Sequence, residues 1–137
     1  MKKNYKYLTL KEVEGVGSTH DSYLKRSVKE RVKALDLVID ALDLASFIGG
    51  AKVDSPPIRC DWAVEKEFFP GVSAIFIYSS ADEEFDSQLQ ILFYGEALKE
   101  IKGEDLATLS IATLNHMLRY VRKMYSDKNL PPMCRMV

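Results

Sequence analysis

Apolar residues along this chain recur first at helical steps, then in strict alternation, then at helical steps again. Between Tyr23 and Ile48, the residues Leu24, Val28, Val32, Leu35, Ile39 and Leu42 return every three or four positions. Lys25, Lys29, Lys33, Asp36, Asp40 and Asp43 fall elsewhere on the wheel. This period predicts one amphipathic helix. Asp21 or Ser22 is placed to cap it, and Ser27 with Glu30 has capping-box spacing for a start a turn or two later. Gly49 and Gly50 close it, because a left-handed C-cap costs glycine nothing.

Beyond a turn at Pro56 and Pro57, alternation takes over. Ile58, Cys60, Trp62 and Val64 share one face, with Arg59, Asp61 and Ala63 on the other, which predicts a half-buried strand. Phe68 and Phe69 precede a Pro70–Gly71 turn and are expected to fold back over the core. Ser73 to Ser79 is β-branched and aromatic, and Ser87 to Tyr94 alternates Leu89, Ile91 and Phe93 against Gln88, Gln90, Leu92 and Tyr94. The second of these becomes apolar on both faces, which predicts a central strand. The short connection SADEEFD makes the pair an antiparallel hairpin.

At the two ends the pattern is weaker. Tyr5 to Leu10 suits a short edge strand or ordered arm, so residues 1–20 read as such a segment, broken by Gly15, Gly17 and Ser18. Glu104 and Asp105 open a second amphipathic helix, striped by Leu106, Leu109, Met117, Tyr120 and Met124 and ending in Arg119, Arg122 and Lys123. Residues 126–137 contain Pro131 and Pro132 and read as an extended or flexible tail, unless Leu130, Met133 and Met136 dock. The elements add up to one α+β domain over residues 1–137: an antiparallel sheet of three to four strands packed against two amphipathic helices.

Composition narrows the function classes. With 137 residues, 47% hydrophobic and 28% charged, the chain is long enough and apolar enough to bury a core without staples. A net charge of -1 supplies no global field toward nucleic acid or anionic lipid. Lys25, Arg26, Lys29, Arg31 and Lys33 cluster, but no aromatic residues are interleaved to stack on bases, so they read as a solvated helix face. No run approaches the length of a membrane span, and the basic N-terminus lacks a signal-peptide core. Cys60 and Cys134 form no CxxC or Cys/His cluster, which suits free thiols in a reducing cytoplasm.

Candidate chemistry is sparse. Asp82, Glu83, Glu84 and Asp86 place four carboxylates in one hairpin, where a hard cation or basic partner is conceivable. Their side chains diverge and lack EF-hand spacing, so a solvated turn anchored by Phe85 is the simpler reading. Glu104 and Asp105 suit an acid–base pair in residue type, yet helix N-termini draw carboxylates for stability alone. His20 and His116 share no motif, and no nucleophile elbow, P-loop, dinucleotide fingerprint or H-E-x-x-H occurs. Cys60 alternates beside Trp62, which suggests packing. No catalytic residue, metal site or cofactor is assigned. The ligand-binding candidates are Asp82, Glu83, Glu84, Glu104 and Asp105.

Gly49-Gly50, Pro70, the Ala81 to Phe85 string, Ile91-Leu92-Phe93 and Glu104-Asp105-Leu106 together resemble an uncharacterised prokaryotic domain family of unknown function. Its pattern runs Gly-Gly, Pro, D-E-F, L-F, E-D-L, and the match spans Gly49 to Leu118. The resemblance implies a source among anaerobic bacteria and archaea, and longer relatives with an iron–sulfur cysteine segment; this chain has no such cysteine run. Asp86 and Tyr94 stand where the pattern usually has proline and aspartate. The resemblance implies no activity. The expectation is a small cytoplasmic, non-catalytic interaction or accessory domain that binds a protein partner or itself. The alternative is a ligand- or metal-binding enzyme with its carboxylates at the Asp82–Asp86 hairpin. A functional surface is expected where that hairpin, the Gly49-Gly50 turn and the Glu104 helix meet.

Overall fold

The computed structural model describes residues 6–137. Four antiparallel strands run β1 (Ala51–Lys52), β2 (Trp62–Phe69), β3 (Val72–Ser79) and β4 (Gln88–Tyr94), in that order across the sheet. Four α-helices accompany them: α1 (Leu10–Glu14), α2 (Thr19–Arg31), α3 (Ala41–Ile48) and α4 (Gly103–Met124). This is the α+β, antiparallel arrangement that the alternating and helical periods predict.

Alternation divides the sheet into two faces. Trp62, Val64, Ala74, Phe76, Tyr78, Ile91 and Phe93 share the main core with Leu24, Val28, Leu35, Leu44, Ile48, Leu106, Leu114, Met117 and Val121 from the helical segments. Side chains as large as Phe76, Phe93 and Tyr120 are almost wholly buried there, and each apolar one contributes on the order of 2–3 kcal/mol. The opposite face holds a smaller cluster of Ala63, Ile75, Ile77 and Leu92, against which Val53 and Cys60 pack. Cys60 therefore lies across the sheet from Trp62, not beside it as simple alternation predicts. The regular strand begins only at Trp62, and the chain from Ile58 to Asp61 bends before it.

The single long helix expected from Tyr23 to Ile48 is three segments. α2 starts three to four residues before the proposed caps Asp21 and Ser22, at the Ser18 N-cap, whose hydroxyl accepts from Asp21 N. A 3-10 turn over Val32–Leu37 follows, and Val38 is extended. Asp40 then caps α3, its carboxylate accepting from Asp43 N at 3.2 Å. The Tyr125 hydroxyl takes the freed Ile39 amide at 3.1 Å. A local cap and one tertiary hydroxyl thus satisfy backbone groups that a continuous helix would have paired internally. The restart changes the phase, so Ile39 and Leu42, counted in the predicted stripe, point to solvent. The Gly49-Gly50 ending is as predicted: Gly49 takes φ 74°, and a Cβ on Gly50 would stand 2.2 Å from the Glu65 carbonyl oxygen.

Three further placements differ from the pattern. The fourth strand is Ala51–Lys52 on β2, whereas the described part of the N-terminal segment bridges Leu8 to Phe93 before Thr9 caps α1 with a Glu12 capping box; residues 1–5, Tyr5 included, lie outside the described residues. Among the described residues β4 is an edge strand, since the chain leaves it at Gly95 for the helical layer and no strand follows it in the sheet order. Its two apolar faces are used by the two clusters on either side of the sheet, not by a strand beyond it. The region before Gly71 continues β2 through Phe69, with a bulge between Glu67 and Phe69; Phe68 packs on the core and Phe69 is exposed.

The tail from residue 126 carries a 3-10 turn at Pro132–Arg135. Cys134 is fully buried, Leu130, Met133 and Val137 pack against the core, and Met136 is exposed. The Arg122 guanidinium donates from Nη1 to the main-chain oxygens of Cys134 and Val137, at 3.0 and 2.8 Å.

Candidate functional site

A groove of about 1130 Å³ runs between α2 and the outer edge of β4. Its floor follows from two periodicities. On α2, Leu24 and Val28 turn inward one helical turn apart, which leaves Lys25 and Lys29, with Lys33 beyond them, along the outer rim. On β4, Leu89 and Ile91 face the helices while Gln88 and Gln90 face away and are exposed.

Hydrogen-bond parity determines what the edge presents. Leu8 N donates to Phe93 O at 2.8 Å and Phe93 N to Leu8 O at 2.7 Å, so the polar backbone groups of Phe93 point outward. In an antiparallel ladder these directions alternate. Leu92 and Gln90 therefore face their β3 partners Ile75 and Ile77, and the N–H and C=O groups of Ile91 and Leu89 face the groove. Among the described residues no strand pairs with them. Leu8 occupies the edge for one residue, and α1 then carries the chain away.

The acidic hairpin closes one end. Asp82 folds it: its Oδ1 accepts from Glu84 N at 2.8 Å and Phe85 N at 2.7 Å, and its own N–H donates to Phe85 O at 2.9 Å. These amide bonds, Phe85's first, hold the Asp82 carboxyl below its ordinary value. Glu84, Phe85 and Asp86 line the groove end, and Glu83 is exposed. Phe85 is 61% exposed, so the turn is held by Asp82 and not by a buried Phe85 anchor. Behind the hairpin, Ser87 is buried, and the Tyr78 hydroxyl donates to Asp36; burial first, then Asp36, raises the phenol. Trp62 stacks on Tyr78 at 4.9 Å, and its Nε1 is the buried side-chain polar atom left without a partner among the described residues.

The other expected site residues lie apart from this groove. Glu104 and Asp105 open α4, whose first residue, Gly103, packs under the Glu14 side chain. Glu14 accepts from Ser18 Oγ and pairs with His20 Nδ1, both at 2.5 Å. Burial would raise this carboxyl, but the Ser18 and His20 hydrogen bonds outweigh it and leave it below its ordinary value. Gly49 and Gly50 pack on β2, at Lys66 and Glu65. The hairpin, the glycine turn and the α4 start are thus three separate places.

A second, shallower cleft of about 410 Å³ lies beside that glycine turn, lined by Lys66, Phe68, His116 and Arg119 among others. Lys66 Nζ donates to Ile48 O at 2.7 Å, closing the C-terminus of α3. His116 tilts against Phe47 at 5.0 Å, and burial, then Arg119 and Lys66, lower its basicity. The larger cleft has no histidine; in the smaller, Thr113 and His116 both line the wall, but the Thr113 hydroxyl donates to Leu109 O at 2.8 Å. Among the described residues no three His, Cys, Asp or Glu side chains converge as a metal site requires, and no helix is long and apolar enough to cross a membrane. The larger groove offers backbone donors and acceptors, apolar floor and a charged rim, which is equipment for binding.

The lysines of the rim are visible in the sequence, but their role is not, because it depends on β4 being an edge. Gln88 and Gln90, polar residues alternating with Leu89 and Ile91, are the local sign of that edge.

A family model described as "Domain of unknown function (DUF3786)" matches residues 2–116. The chain belongs to this family, a domain family to which no function is assigned. No curated protein and no solved structure matches it.

Proposed function

We propose that this DUF3786 chain is a non-catalytic accessory domain that docks an extended segment of a partner protein on the outer edge of β4. The observation that carries the reading is the outward pairing surface of Leu89 and Ile91, set in an apolar groove beside the point where Leu8 already pairs with Phe93. Strand addition to such an edge supplies main-chain hydrogen bonds, and the flanking floor selects alternate side chains. The residues of the Asp82–Asp86 hairpin act in this reading as one end of the groove.

The partner is a protein and not a nucleic acid; the net charge of -1 and the acids Asp21 and Glu30 beside the lysines support this. A cytoplasmic workplace is supported by the unpaired thiols of Cys60 and Cys134.

Selection of a random displayed peptide library on the immobilised protein, followed by titration of synthetic winners into ¹⁵N-labelled protein, tests the reading. Winners should alternate apolar residues and shift the amides of Leu89 and Ile91 together with α2. Winners that shift only another surface, or a selection without binders, would overturn it.

A further inference from the structure

The chemistry of the docked segment follows from the rim. Lys25 and Lys29 stand one turn apart on α2 and Lys33 follows in the 3-10 turn, so the three span about 13 Å, the length of about four residues of extended chain. Lys25 is engaged by Asp21 at 3.2 Å, whereas Lys29 and Lys33 have no ion pair among the described residues. Both line the groove with exposed side chains. We infer that the segment received at the β4 edge is acidic as well as apolar-alternating, its apolar residues on Leu24 and Val28 and its carboxylates toward Lys29 and Lys33. This rests on the strand-docking reading proposed above.

Direction follows from Leu8. The edge already accepts an antiparallel strand at Phe93, and a segment continuing in that sense meets Ile91 and then Leu89 without a change of ladder geometry. Its C-terminal end then approaches the hairpin end of β4, where Lys29 and Lys33 also stand, because Asp36 just beyond Lys33 accepts from Tyr78, the cross-strand partner of Leu89; its acidic residues therefore belong nearer the C-terminal end. A second copy of this chain fits poorly. Two β4 edges joined about a two-fold axis perpendicular to the sheet keep both α2 helices on one face and bring two lysine rows into opposition.

The test uses two synthetic peptides of equal apolar content, VTVTDTE and VTVTKTK, each with blocked ends and with its charges on the valine face, titrated into the full ¹⁵N-labelled chain and into a Lys29→Glu/Lys33→Glu variant. The acidic peptide should bind the natural chain more tightly and shift the Leu89 and Ile91 amides. The double variant, altered only at exposed positions, should weaken it by about tenfold and favour the basic peptide. Equal binding of both peptides at the edge would overturn the acidic specificity and leave strand docking intact. Failure of both to shift Leu89 and Ile91 would remove strand docking itself. A twelve-residue oligothymidylate that binds the natural chain more tightly than the acidic peptide would assign the lysines to nucleic acid and overturn the inference.

Discussion

Replacing Arg122 by methionine isolates what holds the C-terminal tail. In the native chain Arg122 Nη1 donates to Cys134 O and Val137 O at 3.0 and 2.8 Å, across 12 and 15 residues of sequence. A buried charge-assisted hydrogen bond is worth roughly 1.5–3 kcal/mol, but the side chain is half-exposed, and about 1 kcal/mol for each is the screened figure. Methionine keeps much of the aliphatic stem contact. Loss of both bonds should therefore make local opening easier by about 2 kcal/mol, raising the opened population about thirtyfold. Cys134 reports that population because its side chain is fully buried. In a Cys60→Ser background, thiol labelling at pH 8 should accelerate about thirtyfold in Arg122→Met, with the reaction passing through the opened tail. In the closed tail burial raises the Cys134 thiol and Arg122 partly offsets it; labelling runs through the opened tail, where neither influence acts. An unchanged labelling rate would refute the latch and assign the tail's docking to Leu130, Met133 and Val137 alone.

Other consequences are equally direct. Gly95→Ala combines φ 135° with a Cβ 2.0 Å from the Gly71 carbonyl oxygen, whereas Gly17→Ala meets nothing within 4 Å at φ 83°; urea denaturation should show a loss of about 3 kcal/mol or more for the first and about 1 kcal/mol for the second. The depressed Glu14 carboxyl favours folding when ionised, so its contribution is complete above the ordinary value of 4.5 and vanishes as pH falls through the lower folded value. Glu14→Gln should accordingly lower the urea midpoint at pH 7 and leave it nearly unchanged at pH 2. The raised Tyr78 phenol has the opposite sign: its contribution is complete below the ordinary value of 10.0 and declines as pH rises above it. Tyr78→Phe should flatten the loss of stability measured between pH 9 and 11. In free protein, the amides of Leu89 and Ile91 should exchange with solvent about a hundredfold faster than those of Gln90 and Leu92, which face β3; equal rates would contradict the edge geometry.

Where the local code was self-sufficient, the chain could be read directly. β3 is apolar and β-branched, β4 alternates, the connection between them is too short for anything but a hairpin, and α4 carries one continuous stripe from Leu106 to Val121. The candidate site was legible only in fragments: the lysines of α2 were visible as a cluster, and Glu84 and Asp86 as an acidic turn. Nothing local says that these two fragments flank one groove. Glu104 and Asp105 match the acidic hairpin in residue type and share no place with it.

The sequence alone determined the alternation of faces, the antiparallel hairpin, the glycine stop after Ile48 and the family pattern, because each depends on residues a few positions apart. Tertiary structure decided the rest. The helix from Tyr23 is interrupted at Val38, where Tyr125, 86 residues from Ile39, takes a backbone donor that an unbroken helix would have paired. β4 is an edge because Ala51–Lys52 adds to the far side of β2 while the chain beyond Gly95 returns to the helices. Apolar periodicity states which side chains are buried and not which neighbour buries them. The outward backbone of Leu89 and Ile91, on which the proposed activity rests, is therefore a property of strand order and not of composition.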